Sequence, residues 1–169
     1  MASEIKSKYG SSTDLDFGSS FADLDGLANG SVAWCAPITP GTPCPPKINV
    51  HGQIKVSSSA PATGAVVEFY LLRGDDNASE LRDGADLGTL TAPGTMSTAA
   101  TIARARGNMA LIHVIQVSTD TSAVYNFSFI VEDPGTDWQI LVYNGTGQSL
   151  NATSSPHKVR YRTITPESQ

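Results

Sequence analysis

A chain of 169 residues is long enough for one domain with a true hydrophobic core. Its net charge of −5 leaves no basic surplus for gripping phosphates, which argues against nucleic acid as a partner. Only 16% of the residues are charged while 40% are apolar, and Ser, Thr, Gly, Asn and Pro fill the balance, a mixture suited to short strands and tight turns.

Residues 1–30 are polar and Gly/Ser-rich, with Leu15, Phe17, Phe21, Leu24 and Leu27 scattered among them. They are expected to form an extended arm or short edge strand that docks through these apolar anchors, with a short helical piece near Phe21. Their first stretch, "MASEIKSKYGSSTDLDF", lacks the apolar core of a secretory signal, so folding in the cytosol of the producing cell is expected. "SVAW" (31–34) reads as a short strand. A proline loop follows at 35–46, where ladder hydrogen bonds fail. It holds Cys35 and Cys44, expected as reduced thiols, with a bridge across the loop as the minority reading.

From there the chain follows a strand rhythm. In "INVHGQIKV" (48–56), Ile48, Val50, Ile54 and Val56 share a face. In "AVVEFYLL" (65–72), Val67, Phe69 and Leu71 point one way, and Val66, Tyr70 and Leu72 the other. Such a strand is covered on both sides, by a second sheet and by a loop or neighbouring subunit. "FYLLRGDDNASELRDGADLG" carries Arg73-Gly74-Asp75, an adhesion tripeptide that a turn after a strand also explains. Its acidic residues Asp75, Asp76, Glu80, Asp83 and Asp86 lack the spacing of a calcium loop and read as a solvated turn. "LGTLTAP" (87–93) is a weak strand, and "STAATIARARG" (97–107) is a helix or a strand plus turn. "MALIHVIQV" (109–117) places Met109, Leu111, His113, Ile115 and Val117 on one face and is also apolar on both. "AVYNFSFIV" (123–131), "DWQILVYN" (137–144) and "HKVRYRTIT" (157–165) complete the set. Asp75-Asp76-Asn77, Pro93-Gly94, Asp133-Pro134-Gly135 and Asn144-Gly145 mark turns. About eight strands at this spacing imply an all-β fold, an antiparallel β-sandwich of jelly-roll type spanning 31–169, preceded by the arm.

Chemistry-bearing patterns are sparse. His51, His113 and His157 fall on separate strands without metal-binding spacing, and neither nucleophile elbow nor phosphate loop occurs. No catalytic residue, metal or other cofactor is assigned, and an enzyme is the minority reading. The sequons at Asn29, Asn77, Asn126, Asn144 and Asn151 follow from Ser/Thr richness. No run nears the roughly 18 apolar residues of a membrane span, so no membrane partner is expected. Trp34, Trp138, Tyr143 and Tyr161 sit near strand ends, and Trp138 with Tyr143 offers a glycan-stacking platform, although core packing is the commoner role.

The segments "VVEFYLLRGDDNASELRDGADLG", "NMALIHVIQV", "DWQILVYNGTGQSLNA" and "HKVRYRTITPE" together resemble small jelly-roll virion proteins of tailed bacteriophages. The likeness rests on a strand running into an Asp-rich turn and on the pattern W-x-I-x-V-x-N-x-[TS]-G. It covers roughly residues 46–165, and segment 31–46 departs from it. The resemblance implies a non-enzymatic subunit, made in the host bacterial cytoplasm and located in the virion. It would assemble as a trimer or other ring and contact the major capsid protein as a decoration, or tail and collar proteins. The alternative is a tail, collar or baseplate component whose sandwich binds carbohydrate in host recognition. Leu15, Phe17 and Phe21 of the arm, with Val66, Tyr70 and Leu72 of the doubly apolar strand, are the expected subunit contacts.

Overall fold

The structure, a computed structural model, describes residues 5–18, 21–39, 44–74, 92–153 and 156–168. In chain order these form β1 (Ile5–Tyr9), β2 (Thr13–Asp14), β3 (Val32–Trp34), β4 (Lys47–Lys55), β5 (Val66–Gly74), β6 (Gly94–Met96), α1 (Ala99–Asn108), β7 (Ala110–Gln116), β8 (Val124–Glu132), β9 (Asp137–Gly145) and β10 (Lys158–Ser168). The strands make two antiparallel sheets, and the expected all-β sandwich is what the chain adopts. Sheet A has the order β1-β10-β4-β8, with β2 also pairing with β10. Sheet B has the order β6-β3-β9-β5-β7.

Alternation in the strands places the core between the sheets. Ile48, Val50 and Ile54 of β4 meet Val67, Phe69 and Leu71 of β5, together with Ile140 and Val142 of β9. Gly52 interrupts the β4 row because a Cβ there would collide with the Lys158 carbonyl on β10. Leu15, Phe17, Leu24 and Leu27 of the arm enter this same core. Around Phe21 the chain forms successive tight turns rather than a helix, with Leu24 N–H bonded to the Phe21 carbonyl and Leu27 N–H to that of Leu24.

A second, smaller cluster lies outside sheet B. Tyr70 and Leu72 of β5, Val32 and Trp34 of β3 and Leu141 of β9 are covered there by Ile102 and Met109. Ile102 belongs to α1, which Met109 follows, and the carbonyl of Thr98, just before the helix, accepts the Ile102 N–H. Alanines at 99, 100, 103 and 105 favour helix, and Gly107 and Asn108 end it. Of the two readings of 97–107, the helix is the one that forms.

Strand β7 departs from its expected pattern. Phe69 pairs with His113 but Tyr70 pairs with Leu111, so Ile112 is an inserted bulge. The bulge reverses the alternation. Ile115 and Val117 face the core, whereas Met109 joins the outer cluster and Leu111 is exposed. The five residues expected on one face are therefore split between two, and β7 is not buried on both sides. Asp75 and the acidic stretch 75–86 lie outside the described residues, as does 87–91 of the weak strand.

Candidate functional site

The expected subunit contacts are largely consumed within the chain. Leu15 and Phe17 are both 0% exposed, because β1 and β2 pair with β10 and fold these side chains under the sandwich. Phe21 is half-buried against the same core. Tyr70 and Leu72 are buried beneath α1, so the second apolar face of β5 is met by this chain's own helix. Val66, at the strand's start, remains half-exposed. Trp138 cannot stack on a glycan: it is 0% exposed and packs edge-on against Tyr161 at 5.1 Å. Tyr143 is half-buried, with the Arg106 guanidinium 4.1 Å above its ring.

That guanidinium belongs to the most charged interior feature. Arg106 donates from Nη2 to Glu68 at 2.8 Å and from Nε to the Tyr70 hydroxyl at 3.0 Å. Tyr70 donates in turn to Glu68 at 2.5 Å. Burial, reinforced by the Glu68 carboxylate, raises the Tyr70 pKa, so the phenol keeps its proton and remains a donor. Every charge here is answered, and no nucleophile stands beside a base. The arrangement fastens α1 to sheet B.

The histidines stay apart. Ser12 Oγ lies 3.0 Å from His51 Nε2. His113 stacks on Phe129 at 4.6 Å, and burial lowers its pKa. His157 is wholly buried. Cys35 and Cys44 are both free. Burial pushes the Cys35 thiol up to about 12, and the Cys44 thiol donates to the Gly135 carbonyl at 2.8 Å. Among the described residues, no group of three His, Cys, Asp or Glu side chains is placed to hold a metal. A cleft of about 380 Å³ opens between the arm turns and β6, lined by Asp23, Asp25, Ser31, Thr95 and Ser97 among others. Partial burial and the nearby Asp16 raise the Asp23 pKa.

The W-x-I-x-V-x-N-x-T-G pattern is structural in each of its members. Trp138, Ile140 and Val142 fill the core. Asn144, 0% exposed, donates to the carbonyls of Leu27 and Gln148, both at 2.8 Å. Its Oδ1 accepts from the Thr146 N–H and hydroxyl, which ties the arm to the turn after β9.

The clearest unsatisfied surface is a sandwich edge that sequence reasoning passed over. Strands β7 and β8 are the terminal strands of their sheets and lie beside each other. Among the described residues the exposed large apolar side chains are Tyr9, Leu111, Val114, Val124 and Ile130, and all but Tyr9 stand on these two strands. Between the strands, His113, Phe127 and Phe129 close the mouth of the core. In β8 the signal was present in the sequence: Val124 and Ile130 fall in phase with the polar Asn126 and Ser128. In β7 the bulge concealed it.

No protein-family profile and no curated protein sequence matches this chain.

Proposed function

We propose that this chain is a non-enzymatic structural subunit of a tailed-bacteriophage virion, a capsid decoration protein that assembles with copies of itself on the particle surface. The observation that carries the assembly part is the β7–β8 edge. Two adjacent strands that end their sheets among the described residues, dressed by Leu111, Val114, Val124 and Ile130, are a surface that isolated proteins normally blunt with charge or cover. The virion part rests on the sequence resemblance over residues 46–165. The strand order is in keeping with it: β1-β10-β4-β8 faces β3-β9-β5-β7, the order produced when two Greek keys are rolled together into a jelly roll.

The test has two arms. Light scattering on the purified protein is expected to give a multiple of the chain mass, and Leu111→Ser with Ile130→Ser is expected to return it to monomer with its fold intact. Mass spectrometry of purified phage particles is expected to find the chain in stoichiometric amounts. A strict monomer missing from particles would sink the reading.

A further inference from the structure

The outer face of sheet A has a charge opposite to that of the chain. Antiparallel register places Arg162 beside Asn49, Arg160 beside His51 and Lys158 beside Gln53, with Lys47 and Lys55 at the two ends of β4. These cations are five of the chain's 11 Lys and Arg residues. Among the described residues only Asp14, bonded to Arg160, and Glu132, bonded to Lys47, answer them on this face. The patch therefore carries +3 in a chain whose total is −5. Arg162 is braced by Asn49 Oδ1 at 3.1 Å and lies 4.4 Å over the Tyr9 ring. Among the described residues Lys55 and Lys158 have no ion-pair partner.

The face has the geometry to receive an extended polypeptide. Lys158, Arg160 and Arg162 alternate along one strand, so their side chains stand about 6.8 Å apart. Every second side chain of a strand-like segment laid along them has that same spacing. The chain itself supplies an acidic segment: Asp75, Asp76, Glu80, Asp83 and Asp86, with Arg82 as the lone cation between them. We propose that the cationic face of sheet A binds the Asp75–Asp86 segment of a second copy of this chain.

The self-assembly reading makes the second copy the occupant, and within one chain the segment is held at both ends. The segment leaves β5 at Gly74, next to Arg73, whose guanidinium is 3.5 Å from the Glu132 carbonyl at the Lys47 end of the face. From Lys47 to Lys55 the face runs about 26 Å. A segment laid along it must then return to Ala92, whose carbonyl accepts from Trp34 Nε1 on sheet B. A neighbour's segment has no such tether. The contact joins unlike surfaces, so it closes into a ring or continues as an array.

The inference rests on the self-assembly reading, and the experiment separates the two. Wild-type self-association is measured by light scattering from about 0.05 M to about 0.5 M NaCl and is expected to weaken across that range. A face variant, Lys55→Glu with Lys158→Glu, and a segment variant, Asp75→Lys with Asp76→Lys and Asp83→Lys, are each expected to self-associate about tenfold more weakly, with unchanged thermal melting. Mixed one to one, they are expected to recover wild-type association, because each now offers the charge that the other lacks. If the wild type assembles and the single variants assemble equally well, self-assembly stands and this contact is wrong. Loss in both variants without rescue on mixing overturns it as well. If a polyuronate binds the face while the variants still assemble, the occupant is a glycan and the proposal falls. A wild type that is monomeric throughout removes both readings.

Discussion

His157 has no exposed surface, and both of its ring nitrogens are engaged. Nε2 bonds the Asn151 carbonyl at 2.9 Å, and Nδ1 accepts the Lys55 backbone N–H at 3.3 Å. Only the neutral ring does both, since a proton on Nδ1 removes the acceptor. Burial lowers the pKa, outweighing the favourable Asn151 carbonyl and the Asp25 carboxylate 3.8 Å away. The unfolded chain thus takes up this proton before the folded one. The stability due to His157 is fully present above the ordinary value of 6.5 and is lost as pH falls from there through the folded value. Urea midpoints between pH 7.5 and pH 5 are expected to drop for the wild type, and less steeply for His157→Gln. The variant retains the slope due to His113, which titrates in the same sense. Equal slopes in the two proteins would place the titration elsewhere. Residues of this kind were hard to read from sequence. Asn144 looked like a sequon, and its burial is decided by the Leu27 carbonyl, 117 positions earlier.

Elements were legible where local pattern and tertiary role agreed. Strand β4 alternates cleanly and pairs on both sides, so its phase could be read directly. Strand β6, Gly94–Met96, is too short to show a period and exists through its pairing with β3. The β7 bulge is a property of the register with β5, which local alternation does not contain. The segment around α1 was ambiguous because its alanines and arginines declare no apolar face, and its placement depends on Ile102 and on the Arg106 clamp. Removing Arg106 would strand the Glu68 carboxylate, which is only 9% exposed. Arg106→Ala is expected to cost about 2 kcal/mol, between the cost of losing a surface pair and a buried one. The double variant Glu68→Met with Arg106→Met is expected to cost less than Arg106→Ala alone, because no unpaired charge remains. Denaturant titration gives the costs, and amide exchange across Ala99–Asn108 reports whether the helix loosens first. A double variant less stable than Arg106→Ala would mean that the ion pair itself, and not the orphaned carboxylate, sets the cost.

At the scale of the whole molecule, the division into an arm (1–30) and a self-sufficient sandwich (31–169) can be put to the test. Composition suggested the division, since residues 1–30 are polar and Gly/Ser-rich. Within them, however, Leu15, Phe17 and Leu24 are 0% exposed and Leu27 is 5% exposed, all in the core that the two sheets share. Burying a side chain of this size contributes roughly 1.5–3 kcal/mol, so the four together contribute about 6–12 kcal/mol. That is comparable to the whole stability of a typical domain, about 5–15 kcal/mol. Strands β1 and β2 also pair with β10, which would otherwise present an open edge along Lys158–Ser168. A chain beginning at Ser31 is therefore expected to lack a cooperative thermal transition, to bind a hydrophobic dye and to aggregate, whereas a chain beginning at Ile5 is expected to melt like the full one. Adding residues 5–30 in trans as a peptide is expected to restore some of the transition, because the anchors and the β10 pairing need no covalent link to form. A chain from Ser31 that melts cooperatively near the full-length temperature would show that the sandwich stands alone and that the arm is an attachment.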